Sequence, residues 1–144
     1  MTYGWALLIL ATVMAVLYSV GVFDPQQYMA EECLFQPSLQ CKSMVLYKSG
    51  QFDLKINNGL GYELKEVSTT AYPLADPTQG ISYSQTRVAP NGEITLSQSF
   101  GQYAGRLRTG SLERIGVEIK YKVKDDPSGK EYTTTGVVAV RVQP

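Results

Sequence analysis

This 144-residue sequence has no histidine. That removes the commonest general base and the commonest metal ligand. It has no charge surplus either, because 13 basic residues balance 13 acidic ones. A nucleic-acid binder would show a basic excess or stripe, so no nucleic-acid partner is expected for the isolated chain. No run of like charges marks a solvated tail. There is no Gly-x-Ser-x-Gly elbow, no phosphate-binding glycine loop and no metal-ligand pair. Asp125-Asp126 with Glu131 does not match the spacing of a hand-type calcium loop, and a solvated hairpin turn is expected there. Asn57, Asn58 and Asn91 all lack the N-glycosylation sequon. No catalytic residue, cofactor or metal is assigned, and an enzyme is not expected.

The charges that do occur are unevenly placed. Residues 1–23 carry none, and after Asp24-Pro25 no apolar run of that length recurs. Residues 3–23 read as one helix without internal proline. Twenty-one residues at 1.5 Å rise make about 31 Å, the thickness of a bilayer core. Ten of them are Leu, Ile, Val or Phe, worth roughly −3 to −6 kcal/mol toward insertion. Tyr3 and Trp5 near one end and Tyr18 and Phe23 near the other resemble interfacial aromatic belts. The segment is apolar all round, so it has no face for water. Asp24-Pro25 is expected to stop it, since a residue before proline avoids the helical region. A cleaved secretory signal would need a basic n-region and a small-x-small site, and neither is evident.

Residues 25–42 read as a connector containing Cys33 and Cys41, with seven residues between them. Two cysteines after a membrane-type leader point to an oxidising, extracytoplasmic setting and a disulfide. Such a bond would stabilise by roughly 2–3 kcal/mol on the chain-entropy model. The alternatives are two free thiols or part of a metal site, although two thiolates without histidine complete no tetrahedral zinc site.

From Ser43 the pattern changes to period two. Phe52, Leu54 and Ile56 point inward while Asp53 and Lys55 point outward. Asn57-Asn58-Gly59, Pro90-Asn91-Gly92 and Asp126-Pro127-Ser128-Gly129 punctuate the segments between. Strands are expected over residues 62–72, 81–88, 93–98 and 131–142, and Val117, Ile119, Tyr121 and Val123 alternate with charged residues. Val138, Val140 and Val142 share one face. Ten tyrosines are expected mainly in the core and on the sheet faces. Six or seven short strands predict an antiparallel sandwich or small barrel. The expected fold class is α+β: an N-terminal apolar helix (residues 1–24), the connector (25–42) and an all-β, antiparallel, Ig-like sandwich head (43–144).

The stretch Thr2-Tyr-Gly-Trp-Ala-Leu-Leu-Ile-Leu10, followed by Leu17-Tyr-Ser-Val-Gly-Val-Phe-Asp-Pro25, closely resembles archaeal type IV pilins. A cysteine after the helix, a Gly-x-Phe-x-Leu-x-Ile-x-Asn strand from Gly50 and a terminal hairpin with Thr135-Gly-Val-Val138 extend the likeness. It spans the whole chain and is sharpest over the first 25 residues. The resemblance implies an extracellular cell-surface filament, for adhesion or a similar task, with a central bundle of helices and a wall of β-domains. It implies as partners identical subunits in a helical homopolymer, a pilus assembly platform with its cytoplasmic ATPase, and a prepilin peptidase. It also implies residence in the membrane before assembly. The family's basic leader and helix glutamate precede the Met-Thr-Tyr-Gly-Trp stretch, so no residue here takes those roles.

Physics is compatible with that implication. Lipid tails and neighbouring apolar helices are similar solvents, so a charge-free helix can leave one for the other. Small residues (Gly4, Ala6, Ala11, Ala15, Ser19, Gly21) permit close approach. The polymerisation helix is expected to act through Tyr3, Gly4, Trp5, Leu8, Ala11, Ala15, Tyr18, Gly21 and Phe23. The competing reading is a monomeric, membrane-anchored extracytoplasmic binding module, and a third is an anchored enzyme.

Overall fold

The computed structural model describes residues 3–23, 25 and 28–144. The chain divides into two compact units, Met1–Ala30 and Glu31–Pro144.

The first unit holds helix α1, Gly4–Ser19, 16 residues or about 24 Å long. This corrects the expected 21-residue helix. Gly21 takes φ +76°, its N–H donates to Tyr18 O at 3.1 Å, and the Val22 N–H donates to Leu17 O at 3.1 Å. Those two bonds form a Schellman motif with Gly21 as the left-handed residue just past the cap. The helix therefore ends before the Asp24-Pro25 pair, and Asp24 itself lies outside the described residues. Among the described residues no helix is long and apolar enough to cross a membrane. At about 24 Å, α1 is shorter than the expected span of about 31 Å.

The second unit is a mostly antiparallel eight-stranded sheet. Its strands are β1 (Glu32–Leu34), β2 (Leu39–Tyr47), β3 (Gln51–Asn58), β4 (Leu64–Pro73), β5 (Ile81–Val88), β6 (Glu93–Ser99), β7 (Leu112–Val123) and β8 (Glu131–Gln143). The order is β5-β4-β7-β8-β2-β3-β6, with β1 pairing beside β2 along β8. Only β2 and β8 run parallel, at Leu46 opposite Val142 and Tyr47 opposite Gln143. The end strands β5 and β6 are neighbours in sequence and meet in space, so the sheet is barrel-like. At that seam the Gln85 carboxamide accepts the Thr95 N–H at 3.0 Å.

Alternation places the core. Phe52, Leu54 and Ile56 on β3 are buried, as are Val117, Ile119 and Tyr121 on β7 and Val138, Val140 and Val142 on β8. The structure has two strands within the stretch expected as a connector. β1 is three residues long, too short to alternate. The first half of β2 carries a register shift between Cys41 and Ser43, which breaks the period. The punctuating segments form turns. Asn91 takes φ +59° and the Gly92 N–H donates to Ala89 O at 2.8 Å. Asp126 accepts from the Ser128 N–H at 2.9 Å, which closes the β7–β8 turn.

Candidate assembly surface

The surface of α1 is the most unusual feature of the molecule. None of its residues is buried, and it carries no ionisable group except the Tyr18 phenol. Trp5 and Tyr18 are 68 % and 79 % exposed. The two aliphatic hydroxyls turn back on the helix. Thr12 Oγ1 donates to Leu8 O at 2.8 Å and Ser19 Oγ donates to Val16 O at 2.8 Å. Their polarity is consumed internally, which is how such residues behave in helices that face apolar surroundings. Burying two or three exposed Leu or Ile side chains is worth several kcal/mol, at roughly 25 cal/mol per Å².

At 100° per residue, Gly4, Leu8, Ala11, Ala15 and Tyr18 follow a 4-3-4-3 spacing and fall within an arc of about 80°. Two alanines and a glycine make this the lower side of the helix, where another backbone can come close. Trp5 lies to one side of that arc, and Tyr3 sits at the N-cap position without a capping hydrogen bond. Ile9, Val13 and Val16 occupy the opposite face. The structure thus gathers five of the nine expected polymerisation residues on one stripe. Gly21 and Phe23 lie beyond the helix.

Cys33 and Cys41 form a disulfide, with their Cα atoms 6.3 Å apart. Cys33 pairs opposite Val138 of β8, and Cys41 opposite Ile56 of β3. The bond therefore ties β1 to the first half of β2, where β2 is not paired to β8. A hollow of about 560 Å³ lies beside it, lined by the cysteine loop and the start of β2. Lys42 on its rim is paired to Glu93 at 2.6 Å, which holds the Glu93 carboxyl below the usual range.

Several charged side chains of the β-domain are paired in structural roles. Glu63 accepts from Arg87 Nε at 2.6 Å and Lys124 Nζ at 3.2 Å, and those bonds lower its pKa. Lys122 pairs with Glu66. Asp126 accepts from the Ser128 hydroxyl at 2.6 Å and the Tyr132 hydroxyl at 3.0 Å, which lower its pKa and make it a turn acceptor. Among the described residues no group of three or more Cys, Asp or Glu could hold a metal.

One surface has no expectation attached to it in the sequence. Tyr72 on β4 stands opposite Gly116 on β7, Gly116 opposite Val137 on β8, and Val137 opposite Leu34 on β1. The four positions form one row across the outer face of the sheet. The available signal was parity: Val138, Val140 and Val142 point inward, so an apolar Val137 must point outward.

No protein-family model matches the chain, and no curated protein matches it.

Proposed function

We propose that this chain is a structural subunit of an archaeal type IV pilus. It polymerises through α1 into an extracellular filament whose wall is made of the β-domains. The observation that carries the reading is the pairing of two opposites in one chain. The β-domain has a complete core of its own, from Leu39 to Val142. The helix has no buried residue and no charge. An apolar rod with no charged side chain needs an apolar partner, and identical rods supply one. The small-residue stripe Gly4, Leu8, Ala11, Ala15 and Tyr18 packs helix on helix. The Met-Thr-Tyr-Gly-Trp resemblance supports the same reading.

Before assembly the rod is held in lipid by its apolar surface, its 24 Å being shorter than a bilayer core of about 30 Å. We read the barrel-like sheet as an Ig-like sandwich, with β1, β4, β5, β7 and β8 in one layer and β2, β3 and β6 in the other. The assembly platform and the prepilin peptidase act on this chain as partners, and it carries no catalytic site.

The test is Ala15→Asp. A carboxylate at Ala15, in the second half of an apolar helix, costs up to about 2.5–3.5 kcal/mol in lipid, the figure for a helix centre. In the bundle it meets no cation, because α1 has none. Filaments should be lost while the β-domain remains folded with its disulfide intact. Filaments of normal number and length in negative-stain images of the variant would remove α1 from the assembly role. Shearing cells and finding this protein released only as single molecules would favour the anchored monomer.

A further inference from the structure

The outward row on the β-domain also lacks a cover. Leu34 is 64 % exposed and Val137 is 37 % exposed, and Leu74 adjoins them at 44 %. Polar and charged positions run along both sides: Thr70, Glu118 and Thr135 on one, Arg114 and Glu32 on the other. An apolar centre between polar rims is the anatomy of a protein interface. The glycine keeps the row low. A Cβ on Gly116 would lie 2.6 Å from the Tyr72 ring, so that ring lies flat where a side chain would otherwise rise.

We propose that this row receives α1 of a second copy, and that the helix presents its Ile9, Val13 and Val16 face to it. The inference deepens the filament reading and rests on it. Three observations select the occupant. The chain carries an apolar rod with no residue buried, so each copy brings one uncovered helix for each uncovered row. Four strands at roughly 4.8 Å spacing give a row about 14 Å long, which matches a helix 10–12 Å across. The four positions of the row and the Ile9, Val13 and Val16 face carry no charged side chain, and Glu32, Arg114 and Glu118 border the contact at its rims. The helix has two faces to satisfy: the small-residue stripe takes other helices at close range, and the β-branched face opposite it is left for the wall. Rod and row are different surfaces, so the contact between copies is heterologous and does not close on itself.

The test places a benzophenone amino acid at Val137, and separately at the more exposed Leu34, in the full-length chain. Each is expressed together with a probe-free copy carrying Met14→Leu as a mass tag. After irradiation of native material, the expected cross-links join the probe to Ile9, Val13 or Val16 in a peptide bearing the tag mass. Adding Leu34→Lys to the Val137-probe chain should abolish that product. The inference is overturned by cross-links only to untagged helix, to the small-residue stripe, to a β-domain, to lipid or to another protein, and equally by no cross-link from either position. Microscopy of the same sample scores the filament reading separately. Filaments without the cross-link sink the docking alone, whereas single molecules in every field sink the filament.

Discussion

Asn58 offers the sharpest test of the β-domain. It is fully buried, and both its side-chain nitrogen and its side-chain oxygen are hydrogen-bonded. Its Nδ2 donates to Tyr62 O at 2.9 Å and to Ala89 O at 3.1 Å, and its Oδ1 accepts the Leu60 N–H at 3.2 Å. Its backbone N–H donates to Gly92 O and its carbonyl accepts the Asn91 N–H, both at 2.8 Å. One residue thus joins the end of β3, the loop into β4 and the β5–β6 turn. Asn58→Ala deprives two carbonyls and one N–H of their partner together. At about 1–3 kcal/mol per stranded buried group, the loss is about 3–6 kcal/mol once some water entry is allowed for. That is a large share of the 5–15 kcal/mol that holds a domain together. With a urea slope of about 2 kcal/mol/M, the unfolding midpoint should fall by roughly 2 M. The assay is urea denaturation of the full-length chain in mild detergent, followed by tryptophan-independent far-ultraviolet circular dichroism of the sheet. Asn57→Ala serves as control, since Asn57 is only partly buried on the outward side of β3. A loss for Asn58→Ala no larger than the 0.5 kcal/mol typical of surface changes would refute the hub.

Three further outcomes are expected. Replacing Cys33 and Cys41 together with serine should cost roughly 2–3 kcal/mol in the same assay, and non-reduced mass spectrometry of the parent should find the pair two hydrogens light. Gly136→Ala should destabilise by about 1–3 kcal/mol, because a Cβ there would lie 2.5 Å from the Phe35 ring and 2.6 Å from the Leu34 carbonyl oxygen; an unchanged midpoint would contradict the tight contact between β8 and the segment after β1. Burial, then the Glu113 carboxylate that accepts from it at 3.1 Å, raises the pKa of the Tyr103 phenol. A raised folded pKa gives stability that is present below the unfolded value, about 10, and is lost as pH climbs through the folded one. Stability should therefore fall more steeply above pH 10 in the parent than in Tyr103→Phe, and parallel curves would contradict it.

The paired carboxylates work in the opposite direction. Arg87, and then Lys124, hold Glu63 below its ordinary range, so its contribution is present above the unfolded pKa and fades as pH falls through the folded one. All these groups are partly or wholly solvated, and salt screens them. The charge network thus trims the acid edge of stability, while the apolar interior of the sheet sets its bulk.

Much of this protein was decided by short-range pattern. Period-two alternation alone puts Phe52, Leu54 and Ile56 inside, because successive strand side chains point to opposite faces. Asn91-Gly92 and Asp126 to Gly129 make their turns through local chemistry, and an uncharged opening segment makes a helix without a water face. Gly21 also acts locally, but hydropathy hides it: an apolar average treats a left-handed stop as one more small residue. Other features needed the whole fold. Nothing near β1 announces a strand, since its partner β8 lies a hundred residues away. Asn58 looks like an ordinary turn residue until the β5–β6 turn closes over it. The row from Tyr72 to Leu34 joins four strands that are scattered through the chain, and only their order and register bring it together. Local sequence sets which way each side chain points, whereas pairing between distant strands sets which side chains become neighbours.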